Sequence, residues 1–247
     1  MSDRPNRTAR SRSFETAAAD YERHRPDYPE EALRWAAGRL GLEEHARVLD
    51  VGAGTGKLTR GLVALGFDVV AVEPGGPMLK QLQKAVPEAE AREGSAEAIP
   101  LPNGSVDAAF SAQAYHWFDR DRAVPELQRV IRTGGGLALL WNWWDERDPL
   151  QDELGELIGY AGHSPFVDEE LPGAPWFREL GRTVVESTDE SSPDALVAML
   201  ATTSRFLTAD PAERAEWLRE VRERASRYGE RFGLPKLTYA FAFARLS

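Results

Sequence analysis

The segment RVLDVGAGTGKLT, residues 47–59, constrains the fold more than any other part of the chain. An apolar run leads into three glycines within five positions, and a helical pattern follows with Leu58, Leu62 and Leu65 on one face. Glycine allows the tight turn that joins a buried strand directly to a helix. A strand that passes into a helix in this way predicts a parallel sheet, because parallel strands need a crossover connection.

The same alternation continues through the first 143 residues. Apolar strands are predicted at 46–51, 67–73, 105–111 and 137–143, with a weaker one near 89–93. The helix before 137–143 carries Val124, Leu127 and Ile131, and TGGG at 133–136 is predicted as the turn after it. Strands that are apolar through most of their length indicate a sheet covered by helices on both faces.

Beyond Trp144 the alternation stops. Helices are predicted over 193–205 and 211–231, and the alternating segment 236–246 predicts a strand that returns to the sheet. The chain is therefore divided into a disordered Arg-rich tail (1–13), a core with an N-terminal lid helix (14–143), a cap with a sixth strand (144–210), and a C-terminal helix and final strand (211–247).

Composition excludes several kinds of chemistry. The chain has 247 residues and no cysteine, so disulfides, thiolate nucleophiles, iron–sulfur clusters and Cys-ligated zinc are ruled out. Its four histidines are too scattered for a close-spaced metal pair, and no metal is expected. A net charge of −10 disfavours a nucleic-acid partner. With no long apolar run and no secretory signal, a cytoplasmic protein without a membrane partner is expected.

The glycine turn matches neither of two common nucleotide-binding patterns. A phosphate-binding P-loop requires glycine at position 51, which is Val51, and Ser or Thr at position 58, which is Leu58. A dinucleotide fingerprint places its third glycine at Lys57. Asp50, directly before the turn, is poorly suited to a pyrophosphate and well suited to a positively charged group. The pattern therefore favours a cationic ligand.

These residues resemble the class I S-adenosylmethionine (SAM)-dependent methyltransferases of the type 11 group. VLDVGAGTG is similar to the family's first motif, GSAEAIPLPNGSVDAAFSAQAYHWF to the next two, and RVIRTGGGLALL to the helix–turn–strand that follows. The resemblance implies a Rossmann-like α/β fold: a seven-stranded, mostly parallel sheet with helices on both faces, an antiparallel last strand and a helical cap.

The resemblance also implies a cofactor site for SAM. It places Asp50 and the turn residues Gly52, Gly54 and Gly56 along the amino-acid end of SAM, and Glu73 on the ribose hydroxyls. It places Ser95, Ala96 and Glu97 at the adenine edge. Ser111 and Gln113, at the end of the fourth strand, are placed beside the methionine moiety.

A narrower resemblance links the chain to the trans-aconitate-methyltransferase-like branch, whose members methylate small molecules. It rests on YERHRPDYP at 21–29 and AYHWF at 114–118. In that branch the N-terminal segment folds over SAM, which implies that Tyr21 and Arg25 lie near its carboxylate and sulfonium.

The acceptor side of the site is less defined. His116 is the best candidate for a general base, with a packed histidine that shapes the pocket as the alternative. Tyr115, Trp117 and Trp144 are candidate acceptor contacts, and Trp141 or Trp143 could either line the acceptor pocket or pack in the core. Four arginines could clamp an acidic acceptor, with a solvated surface role as the alternative for each: Arg147, Arg178, Arg182 and Arg205.

The expected function is transfer of a methyl group from SAM to a small molecule, on O, N or C, by in-line displacement. SAQAYHW at the end of the fourth strand lacks the (D/N)PP(Y/F/W) motif of methyltransferases that act on nucleic-acid bases. A macromolecule-modifying methyltransferase remains an alternative supported by the Arg-rich tail, as does a SAM-binding regulatory protein without turnover. An NAD-dependent oxidoreductase is disfavoured by Lys57.

Overall fold

The structure is a computed structural model that describes residues 18–159, 171–173 and 175–247. The predicted Arg-rich tail, 1–13, lies outside these residues, as does part of the predicted cap. Within the described ranges, no helix combines the length and apolar character needed to cross a bilayer.

Strands and helices alternate through the first half of the described chain. The strands are β1 Arg47–Val51, β2 Asp68–Glu73, β3 Glu90–Glu93, β4 Val106–Ala112, β5 Ile131–Trp144, β6 Phe177–Ser191 and β7 Phe232–Arg245. The helices are α1 Ala18–His24, α2 Glu30–Arg39, α3 Lys57–Ala64, α4 Gly76–Ala85, α5 Arg120–Val130, α6 Pro149–Ile158, α7 Pro193–Ala201, α8 Ser204–Thr208 and α9 Pro211–Ser226, with a short 3-10 helix at Tyr115–Trp117.

The seven strands form one sheet in the order β3-β2-β1-β4-β5-β7-β6, and β7 is antiparallel in it. β1 pairs in parallel with β2 on one side and with β4 on the other, and β4 pairs in parallel with β5. The predicted fold class is therefore confirmed. Strand order reverses between β1 and β4, and ligands of open α/β sheets bind outside the carboxyl ends of the strands at such a point.

The TGGG segment is not the turn that its composition predicts. Residues 133–136 lie inside β5, and Ile131, predicted on the preceding helix, is the first residue of that strand. A Cβ atom on Gly135 would lie 2.2 Å from the carbonyl oxygen of Asp107, and one on Gly136 would lie 2.3 Å from that of Phe243. These glycines therefore allow neighbouring backbone to approach β5 closely, which is a role that composition alone does not distinguish from a turn.

The described residues form two compact units. One contains residues 27–142, 171–173, 175–185 and 238–247, and its core places sheet residues against α2 and α3. Members of that core include Leu33, Val48, Leu62, Phe110 and Leu140. The apolar face predicted for α3 is therefore the face that packs.

The second unit contains residues 18–26, 143–159 and 186–237, and helices α6 to α9 share a separate apolar core there. Its buried members are Leu150, Leu154, Ile158, Leu196, Leu200, Phe206, Val221 and Ala225. The helix predicted over 193–205 is interrupted near Thr202 and Thr203, whose hydroxyls donate to the carbonyls of Met199 and Leu200. α9 shares this core, although the predicted division groups it with the final strand; the domain boundaries stay a prediction.

Candidate active site

The glycine turn after β1 has the conformation that its residues suggest. Gly52, Gly54 and Gly56 have φ angles of +70°, +58° and +95°, which side chains other than glycine rarely adopt. A Cβ on Gly52 would lie 2.6 Å from that of Ala114, so the turn packs tightly against the end of β4. A Cβ on Gly54 would meet no protein atom within 4 Å. The turn thus leaves open space beside the backbone of Gly54.

Asp50 provides a buried carboxylate at the base of this turn. Its side chain is 1% exposed; Oδ2 accepts a 2.6 Å hydrogen bond from the Thr59 hydroxyl, and Oδ1 has no hydrogen-bond partner among the described residues. Burial raises the pKa of Asp50 to about 7, opposed by hydrogen bonding from the hydroxyl and the backbone N–H of Thr59 and helped by the negative charge of Glu73. A positively charged ligand group would compensate the buried charge and satisfy Oδ1.

Glu73 holds the turn to the end of β2. Its Oε2 accepts the backbone N–H of Gly54 at 2.9 Å, and its Oε1 accepts that of Gly75 at 2.8 Å. Two backbone N–H groups therefore fix the position of this carboxylate.

Lys57, where a dinucleotide fingerprint places its third glycine, is the first residue of α3 and largely buried. Its Nζ lies 3.3 Å from Asp27 Oδ1, and the Arg60 guanidinium lies 3.1 Å from the same oxygen. This ion pair ties the segment before α2 to the start of α3. No local pattern indicates a role for Asp27, because its partners are 30 or more positions away.

The predicted adenine-edge residues and Ser111 make contacts that organise the site. Glu97 Oε1 accepts the backbone N–H of Asp119 at 2.8 Å, and Ser95 forms an isolated bridge with Ala98. The Ser111 hydroxyl donates to the carbonyl of Val51 at 3.0 Å. Ser111 therefore binds the end of β4 to the end of β1. Ala96 is buried.

His116 is held by a buried indole. The Nε1–H of Trp141, a residue that is 2% exposed, donates to Nδ1 of His116 at 3.3 Å. An indole nitrogen can only donate, so Nδ1 must be the unprotonated nitrogen, and neutral His116 carries its proton on Nε2. A nitrogen that already carries a proton cannot accept another. This geometry favours a pocket or donor role for His116 over the base role.

The aromatic residues around His116 differ in exposure. Trp117 is partly buried and its ring lies 4.7 Å from that of His116, whereas Tyr115 is 1% exposed and packs edge-on against Phe118. Trp141 packs edge-on against Phe241 at 5.9 Å. Of the two strand tryptophans considered for the core, Trp141 is the buried one.

Tyr21, Arg25 and Trp144 belong to the unit that contains the helical core. The Arg25 guanidinium donates to the Thr202 hydroxyl at 3.0 Å and lies over the Tyr21 ring at 5.2 Å. Trp144 packs against the helical core. The resemblance implies that Tyr21 and Arg25 both lie near SAM. The two side chains are in contact with each other, and their proximity to SAM stays a prediction.

Three of the four candidate clamp arginines are engaged with neighbouring side chains. Arg147 pairs with Asp145 through two nitrogens and also with Glu186. Arg182 makes two hydrogen bonds to Glu179. The Arg205 guanidinium lies over the Trp217 ring at 4.8 Å.

The residues around the glycine turn fit SAM. The buried Oδ1 of Asp50 suits the ammonium group of an amino acid, the fixed carboxylate of Glu73 suits ribose hydroxyls, and the open space at Gly54 admits a ligand to the backbone. In the described part of the chain, no three His, Asp or Glu side chains gather as a metal ion would require.

Comparison with known proteins identifies relatives of this chain. The Methyltransferase domain family matches residues 49–139. An uncharacterised methyltransferase of Mycobacterium tuberculosis is 47% identical over 216 residues, covering 86% of this chain and 85% of the relative. A malonyl-[acyl-carrier protein] O-methyltransferase of Pseudescherichia vulneris is 32% identical over 195 residues, covering 78% and 77%.

Among solved structures, a chain from Anaeromyxobacter dehalogenans assigned as a type II methyltransferase superposes with a TM-score of 0.66. It is 27% identical, and the match covers 90% of this chain and 97% of that one. The chain has the glycine turn and the two flanking acids that the resemblance implies. Because its relatives are methyltransferases that match most of its length, the chain belongs to the class I SAM-dependent methyltransferases.

Proposed function

We propose that this methyltransferase transfers the methyl group of SAM to a small-molecule acceptor by in-line displacement, on O, N or C. The observation that carries the proposal is the arrangement around the glycine turn. A buried carboxylate oxygen without a partner, a second carboxylate fixed by two backbone N–H groups, and open space at Gly54 lie at the point where strand order reverses.

Each part of this arrangement has a role toward the cofactor. Asp50 would take the ammonium group, the glycine backbone would lie along the amino-acid end, Glu73 would bind the ribose hydroxyls, and Ser95 to Glu97 would border the adenine. When bound, SAM supplies an electrophilic methyl group on a sulfonium. The protein aligns donor and acceptor and excludes water, and such alignment contributes about 7–11 kcal/mol to catalysis.

His116 takes no proton in this proposal. Its Nδ1 faces the indole N–H of Trp141, and the proton of the neutral ring is on Nε2. The acceptors favoured by this arrangement are those whose nucleophilic atom carries no proton at neutral pH, since they need alignment and no base. A carboxylate oxygen is such an atom, which makes small carboxylates the first class of acceptor to test.

The test uses SAM that carries a radiolabelled methyl group, incubated with the purified protein and an extract of the source organism. The extract is divided by filtration into a small-molecule fraction and a macromolecular fraction. The proposal predicts label in the small-molecule fraction, released by mild alkali where the product is a methyl ester. Label confined to proteins or nucleic acids would replace the proposal by macromolecule modification. SAM binding with no transfer to either fraction would favour a regulatory protein.

Gly54→Ala provides the matched control, because Gly54 and Gly104 have the same φ of +58°. Alanine imposes the same backbone strain at both positions, but only at position 54 does the methyl group enter the open space of the turn. Transfer by wild type and Gly104→Ala, and its loss in Gly54→Ala, assigns the activity to this site.

A further inference from the structure

Gln113 is held in an unusual backbone conformation directly beside the glycine turn. In the described part of the chain, two residues other than glycine have positive φ: His45 at 61° and Gln113 at 53°. His45 lies in an exposed turn, whereas Gln113 follows the last residue of β4. Residues held in strained conformations are concentrated at functional sites, where the surrounding structure fixes them.

The side chain of Gln113 is oriented by the neighbouring strand. Its Nε2 donates to the backbone carbonyl of Asn142, on β5, at 2.6 Å, and its backbone N–H donates to the carbonyl of Leu140 at 3.0 Å. A carbonyl can only accept, so the amide nitrogen must face Asn142. Oε1 is then presented as an acceptor, and the structure gives it no hydrogen bond to a described residue.

The strand end that holds Gln113 is itself fixed. Asn142 Oδ1 accepts the Thr238 hydroxyl at 2.6 Å, and Asn142 Nδ2 donates to the carbonyl of Asp27 at 3.2 Å. Both side-chain polar atoms of Asn142 are therefore engaged, and its carbonyl has a defined direction. Oε1 of Gln113 is accordingly preorganised, and a preorganised group loses little entropy when it binds a ligand.

The side chain of Gln113 lies on the side of β4 that faces away from the glycine turn. β4 stands between β1, which carries the glycine turn, and β5. The next residue, Ala114, packs against Gly52 of that turn, while the Gln113 side chain is bonded to β5. Two consecutive residues therefore contact different neighbours of β4: Ala114 contacts the glycine turn that follows β1, and the Gln113 amide is bonded to β5.

We infer that Gln113 recognises the methyl acceptor, its Oε1 accepting a hydrogen bond from an N–H or O–H group of that molecule. The acceptor therefore carries such a donor group in addition to the atom that is methylated. This inference rests on the proposed function, and it moves Gln113 from the cofactor-binding set, where the resemblance places it, to the acceptor side.

The experiment compares wild type with Gln113→Leu, which keeps the side-chain bulk and removes both polar atoms. His45→Leu is the matched control, because it also places leucine at positive φ but in an exposed turn. Two quantities are measured: the dissociation constant of S-adenosylhomocysteine by calorimetry, and methyl incorporation into the small-molecule fraction as that fraction is diluted. Thermal unfolding of each variant, compared with His45→Leu, reports the cost of the backbone strain.

The expected result is that Gln113→Leu needs about tenfold more of the small-molecule fraction for half-maximal incorporation, as the loss of one hydrogen bond predicts. Its affinity for S-adenosylhomocysteine and the behaviour of His45→Leu stay at the wild-type level. A loss of S-adenosylhomocysteine affinity overturns the inference and assigns Gln113 to the cofactor. Unchanged values for both quantities overturn it as well. No incorporation by wild type would refute the proposed function, and the inference with it.

Discussion

Replacement of Asp50 by asparagine tests whether the base of the glycine turn is built for a cation. Asparagine has the shape of a protonated aspartic acid, and its carbonyl can still accept the Thr59 hydroxyl that now bonds Oδ2. The variant therefore removes the ability to ionise while keeping the packing of a residue that is 1% exposed.

The magnitude follows from the pKa of Asp50, which burial raises from 3.8 to about 7. Between these values the folded protein keeps a proton that the unfolded chain has lost, so the free energy of unfolding falls as pH rises. One pKa unit corresponds to about 1.4 kcal/mol. Without ligand, the ionisation of Asp50 should therefore lower the free energy of unfolding by about 4 kcal/mol in total as pH rises from 3.8 to about 7.

The assay is urea unfolding of wild type and Asp50→Asn across about pH 5 to 8. The stability of the variant relative to wild type should rise by about 1.4 kcal/mol per pH unit up to about pH 7 and then level off. Any cost of burying the amide is independent of pH. The test is therefore the slope of the stability difference against pH, and not its absolute value. Asp68→Asn, at the exposed start of β2, is the control for replacing a carboxylate by an amide.

Ligand binding gives the complementary measurement. A cation beside Asp50 favours its ionised form, so the dissociation constant of SAM should fall about tenfold per pH unit as pH rises toward 7. In Asp50→Asn the affinity should be weaker and insensitive to pH in this range. The reasoning would be refuted if the stability difference between the variant and wild type did not change with pH and if the dissociation constant of SAM had the same pH dependence in both proteins.

Three further predictions concern single positions. Gly54→Ala should weaken SAM binding at least tenfold by calorimetry and Gly104→Ala should not, although both carry the same strain; equal losses would contradict a ligand at Gly54. His116→Gln should reduce kcat/KM less than tenfold in the methyl-transfer assay, whereas a general base contributes about 10²–10⁴-fold, so a loss of that size would restore the base role. His45→Gly should raise the free energy of unfolding by about 0.5–1 kcal/mol in urea titrations, because glycine relieves the positive φ at an exposed position; a destabilised variant would contradict this.

Sequence predicts the strand–turn–helix unit of the site because its determinants are local. Asp50, the three glycines and the first helical residue lie within eight positions, and their residue types permit few backbone conformations. Glu73 could be placed for a similar reason, since it ends the next apolar strand along the chain. These residues are fixed by short-range geometry and by the rules of parallel sheets.

The features that sequence did not reveal depend on distant partners. Nδ1 of His116 is occupied by an indole 25 positions away, and the orientation of Gln113 depends on a carbonyl 29 positions away. Nothing in either local segment encodes these distances. The turn predicted at TGGG is wrong for the same reason: glycine is needed there because the backbone of Asp107 and Phe243 approaches closely, and not because the chain turns.

The most direct test of the central claim is thermal unfolding of wild type and Glu73→Leu with saturating SAM, S-adenosylhomocysteine or NAD. A ligand at 100 times its dissociation constant adds about 2.7 kcal/mol, or roughly 5–10 °C for a chain of this size. We predict that SAM and S-adenosylhomocysteine, but not NAD, raise the melting temperature of wild type, and that Glu73→Leu loses the shift while remaining folded. A shift with NAD alone, or a full SAM shift in Glu73→Leu, would contradict the assignment of this site.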